Sequence, residues 1–216
     1  MIKLFGSSLS PYVRKVLLLL AHKQMPFEFV PVDARAPTPE FLAISPLRKF
    51  PVLVEGSFSL PDSSAICRYL EDVQPQPPLF PANVRTRAYA CWIEEYADTN
   101  LVDIFAPLLG ERVFLPKLFG KATDTAHVAH ILDELAPPAL GYLETQAPAS
   151  GFVCGELSIA DISIGSVFIN AGYGGFRVDP ACHPRLSGWV ERVMALPIVQ
   201  ERCAQDRRDY GRLLFD

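Results

Sequence analysis

The sequence predicts two architectures in succession: an α/β domain built on a small mixed sheet, then a domain made of helices alone. Three observations carry this. Short strand patterns alternate with helical ones up to residue 72, residues 74–81 concentrate four prolines, and no strand pattern follows that break. The expected division is 1–78 for the α/β domain, 79–86 for a linker and 87–216 for the helical domain.

Residues 2–5 (Ile-Lys-Leu-Phe) alternate as a short strand does. Ser10-Pro11 then opens a helix over 11–24. Serine is a preferred N-cap because its oxygen accepts from the unpaired amides of the first turn, and proline at the first helical position adds no further donor. Val13, Val16, Leu17 and Leu20 form an apolar stripe that Leu18 and Leu19 widen, so this helix must be covered on most sides. Residues 27–32 predict a second strand, with Pro31 at an edge or an end. A short helix follows near 40–43. Residues 52–55 and 58–60 flank Gly56-Ser57, a glycine-first hairpin signal, and 63–72 forms the next helix. A strand–helix–strand unit requires a parallel pair with a right-handed crossover, and the hairpin adds an antiparallel pair. That order is thioredoxin-like.

In the second half, Asn83 can cap a long helix through Trp92 and Tyr96, with a bend or interruption expected at Pro107. Another helix is expected over 124–146, kinked or divided by Pro137-Pro138. Leu157-Ser158-Ile159-Ala160-Asp161-Ile162 carries a capping box, with aspartate where glutamate is usual, and the spacing of a hydrophobic staple. Asp161 is therefore expected to serve folding rather than catalysis.

Half of the 216 residues are hydrophobic and a fifth charged, as in an ordinary globular protein able to bury a core. A net charge of −4 without clustered lysine or arginine argues against nucleic acid as a partner. The five cysteines are scattered without metal or redox spacing, and are expected to be reduced, mostly core residues. The strand pattern at the very start leaves no room for a signal peptide, and the apolar run 16–21 is too short to cross a bilayer, so the expected compartment is the cytoplasm without membrane attachment. His127 and His130 share a helical face but have no third ligand, so no metal is expected. Gly172-Tyr173-Gly174-Gly175-Phe176 lacks the strand-before-helix context of a nucleotide loop and is expected to shape a turn.

The set Ser10-Pro11, Lys49-Phe50-Pro51-Val52-Leu53 and Asp62-Ser63-Ser64, in this order and spacing, resembles the N-terminal half of the glutathione transferase family. Ser45 to Leu53 is similar to the family's Asn-Pro-x-x-Lys-Val-Pro-x-Leu, departing at Ser45 and Phe50. The Ser158 to Asp161 segment resembles the Ser/Thr-x-Ala-Asp motif of the family's central buried helix. The layout is that of serine-type, bacterial-like members related to the zeta, tau and omega classes. The resemblance implies a thioredoxin-like domain that binds glutathione and a helical domain that lines an electrophile pocket, in a cytoplasmic, detoxifying homodimer.

Carried onto this chain, the resemblance makes Ser10 the catalytic hydroxyl, with Ser7 and Ser8 the nearest alternatives and Tyr12 a wall of the electrophile pocket. A cis Phe50-Pro51 bond would turn the Phe50 backbone outward as a strand-like clamp for glutathione. Asp62 and Ser63 would meet its γ-glutamyl end, and Lys49 its glycyl carboxylate. Arg14 and Lys15 lie early in the helix, where cations are unfavourable by roughly 0.3 to 1 kcal/mol. That suggests an anionic ligand or a partner carboxylate, with a solvated or subunit-contact role an equal alternative, and neither residue is assigned to catalysis. Two other readings are a glutathione-dependent cis–trans isomerase of unsaturated diacids and a transferase-like protein that binds protein partners without catalysis. Ser10, Lys49, Asp62 and Ser63 together favour a working enzyme. The absence of cysteine at position 10 speaks against thiol-transferase members.

Overall fold

A computed structural model describes residues 1–215, so Asp216, the last residue of the expected 87–216 domain, lies outside them. The chain divides into two units, one ending at Phe80 and the other beginning at Pro81.

The first unit runs β1 (Ile2–Gly6), α1 (Pro11–His22), β2 (Phe27–Pro31), α2 (Pro39–Ile44), β3 (Val52–Glu55), β4 (Phe58–Pro61) and α3 (Ser63–Val73). The sheet order is β2-β1-β3-β4. β1 pairs with β2 in parallel, while β1–β3 and β3–β4 are antiparallel. This is the thioredoxin-like arrangement. Pro31 closes β2 on the sheet edge, where its missing N–H breaks no ladder. Gly56 supplies the positive φ of 60° that turns β3 into β4. In α1, Val13 to Leu20 are all buried, as a helix apolar on most sides must be. Leu4, Val52, Leu53, Ile66 and Leu70 complete this core.

The second unit is helical: α4 (Val84–Glu95), α5 (Val102–Leu109), α6 (Leu115–Phe119), α7 (Thr125–His130), α8 (Ala136–Gln146), α9 (Ile159–Tyr173), α10 (Pro184–Met194) and α11 (Pro197–Leu214). Asn83 caps α4, its side chain accepting from the Arg85 and Thr86 amides. α4 thus begins inside the 79–86 stretch expected as linker. The long helix departs from α geometry not at Pro107, which sits inside α5, but in π-helical turns on either side, Tyr96–Leu101 and Gly110–Phe114. A third π-helical turn, Ile131–Leu135, separates α7 from α8. Pro137 and Pro138 consequently fall in the first turn of α8, where unpaired amides are the rule and a missing N–H costs little. No helix among the described residues is long and apolar enough to cross a membrane.

Candidate functional site

The strand register gathers the expected site residues. Phe5 pairs with Val52, and Val52 with Pro61, so the end of β1, the start of β3 and the end of β4 lie side by side. Ser10 follows β1 by four residues, Phe50-Pro51 directly precedes β3, and Asp62-Ser63 directly follows β4. All three segments emerge at one end of the sheet. Gly6 permits their approach: a Cβ there would lie 2.6 Å from Val13 Cγ2 and 3.4 Å from Phe50 Cβ.

Ser10 is the N-cap of α1. Its Oγ accepts from the Val13 amide at a long 3.5 Å, and its own amide donates to the Ser7 carbonyl at 2.9 Å. The cap uses a lone pair of the hydroxyl, so the O–H remains a donor. Ser10 and Ser7 are half-buried and Ser8 is buried. Tyr12, in the first turn of α1, is half-buried.

The Phe50-Pro51 peptide bond is cis, as expected; a second cis bond, Gln76-Pro77, was not foreseen. Ser45, which stands where the family pattern has asparagine, organises the approach to Pro51. Its buried hydroxyl donates to the Lys49 carbonyl at 2.6 Å and accepts from the Lys49 amide at 3.0 Å. The Lys49 side chain is exposed, Phe50 is half-buried and Pro51 buried. Asp62 caps α3 by accepting from the Ala65 amide at 2.9 Å, and holds φ at 84°, a conformation rare for a residue with a Cβ. Asp62 is exposed, and Ser63 beside it is buried.

Arg14 and Lys15 are each 0% exposed, so the solvated role fails for both. The apolar stripe of Val13, Val16, Leu17 and Leu20, widened by Leu18 and Leu19, was the available signal, because a helix covered on most sides leaves Arg14 and Lys15 little solvent to reach. The link that sequence reasoning missed is Lys15 Nζ donating to Ser64 Oγ at 3.1 Å, which joins the start of α1 to the first turn of α3.

Comparison with known proteins bears on this arrangement. Residues 4–78 match the family described as glutathione S-transferase, N-terminal domain. The apo structure of human glutathione S-transferase T1-1 superposes with a TM-score of 0.85 at 25% identity, over 97% of this chain and 89% of that one. A glutathione S-transferase structure from Rhodospirillum rubrum gives 0.82 at 27%, over 94% and 91%. Glutathione S-transferase 3 of Zea mays is 30% identical over 212 residues, covering 94% of this chain and 93% of that protein. The chain belongs to the glutathione S-transferase family. A zeta-class glutathione S-transferase from Euphorbia esula is likewise 30% identical, over 95% of this chain and 89% of that protein.

In the helical half of this glutathione S-transferase, the capping box is present. Asp161 accepts from Ser158 N–H (2.9 Å), Ser158 O–H (2.7 Å), Val153 N–H (3.1 Å) and Trp189 Nε1–H (2.7 Å). Burial pushes its carboxyl above the usual range despite these donors. A group so enclosed, accepting from these four scaffold donors, holds α9 to α10 and to the preceding turn. The glycine-rich stretch ends α9, with Gly174 as its C-cap. His127 contacts Glu111 at 3.0 Å and His130 contacts Glu134 at 3.2 Å, both on the surface. All five cysteines are free, but only Cys67 is buried, so the expectation of mostly core cysteines is corrected. Three are half-buried and Cys182 is exposed: they sit on helix and loop flanks rather than on the inward faces. A half-open cavity of about 440 Å³ lies among Phe168, Tyr173, Phe176, Met194 and Cys203, and none of the expected site residues lines it.

Proposed function

We propose that this enzyme activates the thiol of glutathione through the Ser10 hydroxyl, and that the thiolate attacks the electrophilic carbon of a small substrate. The observation that carries this reading is the placement of Ser10: its O–H remains available at the N-terminus of α1, at the sheet end that also presents Phe50-Pro51 and Asp62-Ser63. A thiol with a reference pKa near 8.5 is only a few per cent ionised at neutral pH. Lowering that pKa by one to two units takes about 1.4 to 2.8 kcal/mol of preferential anion stabilisation. One directed hydroxyl donor and the positive end of a helix are of that order. The thiol proton leaves to solvent, the carbon–sulfur bond forms, and the displaced group or conjugated π bond takes the electron pair.

Around the sulfur, the Phe50 backbone pairs with the peptide of glutathione, Lys49 meets the glycyl carboxylate, and the buried Ser63 and the α3 amides meet the γ-glutamyl carboxylate. Asp62 takes the γ-glutamyl amine. Its positive φ supports this role, because backbone strain of roughly 1 to 3 kcal/mol persists where the surrounding structure has a use for it. Tyr12 bounds the electrophile. The enzyme works as a cytoplasmic homodimer. Exposed Trp92, its ring tilted against Tyr96, supplies an aromatic surface of the kind interfaces use.

The test is conjugation of a panel of small electrophiles by wild type and Ser10→Ala. Loss of one preorganised donor is expected to lower turnover on the order of 10² to 10³ while glutathione affinity changes little. Equal turnover in both proteins would remove Ser10 from the mechanism.

A further inference from the structure

Two lysines clamp α1 to α3, one at each end. At the C-terminal end, Lys23 Nζ donates to the Gln74 carbonyl at 2.7 Å and the Pro77 carbonyl at 2.9 Å, and pairs with Glu71 at 2.7 Å. The Gln74 side-chain amide donates back to the Lys23 carbonyl. A cation there agrees with the helix dipole, since Lys23 is the C-cap of α1 and its ammonium meets the C-cap carbonyl of α3. The N-terminal clamp is Lys15 Nζ on Ser64 Oγ at 3.1 Å, with Lys15 fully buried. Here the dipole works against the choice of residue, because the ammonium lies against the first turn of α3, where amides point outward.

β1 and β4 are not neighbours: β3 lies between them. Ladder hydrogen bonds therefore fix where the strands end, but not how far apart the starts of α1 and α3 stand after their connecting loops. The Lys15–Ser64 bond spans that gap directly. We propose that Lys15 is a positioning residue for the transferase reaction, setting the separation between Ser10, at the head of α1, and Asp62-Ser63, at the head of α3. One glutathione molecule can then meet Ser10 with its sulfur and α3 with its γ-glutamyl group at the same time. This rests on the site reading above. Its effect is on orientation, where a shift of about 1 Å can cost on the order of a hundredfold in rate.

The experiment compares glutathione with cysteinylglycine, which has the same thiol but no γ-glutamyl group, in wild type, Lys15→Met, Lys15→Arg and Ser64→Ala. In wild type, kcat/KM should favour glutathione. In Lys15→Met and Ser64→Ala, kcat/KM for glutathione should fall about tenfold while kcat/KM with cysteinylglycine stays within about twofold, so the preference narrows by roughly the same tenfold factor. Lys15→Arg keeps a charged donor and should keep the preference. Parallel losses with both thiols, or an undiminished preference in Ser64→Ala, would overturn the positioning role while leaving the Ser10 reading intact. If Lys15→Met does not fold, Ser64→Ala decides alone. A wild type with no preference would instead overturn the assignment of α3 to the γ-glutamyl end, and with it this proposal.

Discussion

Asp161→Ala removes the acceptor for four donors and leaves a methyl group in their midst. Ser158 N–H and Trp189 Nε1–H are the decisive ones, since both residues are essentially inaccessible to water. A buried donor left without a partner costs about 1 to 3 kcal/mol, so the pair gives roughly 2 to 6 kcal/mol. Part of this is returned, because the wild-type carboxylate is itself buried and poorly solvated, which pushes its pKa up. The net expectation is about 3 kcal/mol of lost stability, more than the roughly 1 kcal/mol of a simple exposed cap. For a chain of this length each kcal/mol lowers Tm by about 2 to 4 °C, so the drop should be about 6 to 12 °C. Differential scanning calorimetry measures it, and Trp189 fluorescence reports the same transition locally. The four donors all belong to the helical unit, so folded Asp161→Ala should bind glutathione with wild-type affinity. An unchanged Tm would refute the structural role, and a stable variant that has lost turnover would make Asp161 catalytic.

Two further outcomes are expected. Glutathione at 100 times its Kd should stabilise the protein by about 2.7 kcal/mol, read as a rise in Tm, and a flat melting profile under saturating glutathione would favour a partner-binding protein without catalysis. Burial, reinforced by the neighbouring Lys23 cation, holds the pKa of His22 below the ordinary value of 6.5. A depressed histidine binds its proton better when unfolded. Its contribution to stability is therefore intact above pH 6.5 and is lost as pH falls below that value. His22→Gln should flatten Tm against pH on the acid side of that point, and an identical slope in both proteins would assign the acid sensitivity elsewhere.

The parts of the fold governed by local chemistry were legible in the sequence. Ser10-Pro11, Gly56-Ser57, Asn83 and the Ser158–Asp161 box each need only a few neighbouring residues to work, and each marks the element expected of it. Features set by long-range packing were not. The π-helical turns around α5 carry no local signature, so Pro107 drew the expected break to itself. Pro137-Pro138 could be placed only once the turn before α8 was known. At the candidate site, strand register brings the sequence-identified residues to one end of the sheet. The Lys15–Ser64 bond spans 49 positions of the chain, however, and Ser45 replaces an asparagine through a hydroxyl bridge that its sequence context does not announce.

The central claim is that Ser10 directs a hydrogen bond at the glutathione sulfur. Removing that hydroxyl leaves the helix N-terminus in place, so the effect of the donor can be isolated. Ultraviolet absorbance of the thiolate in the glutathione complex, titrated against pH in wild type and Ser10→Ala, measures it directly. The expected result is a titration midpoint about one pH unit or more higher in Ser10→Ala, equivalent to about 1.4 kcal/mol of lost anion stabilisation. Superimposable titration curves, with equal conjugation rates, would contradict the account and move the role to Ser7, Ser8 or Tyr12.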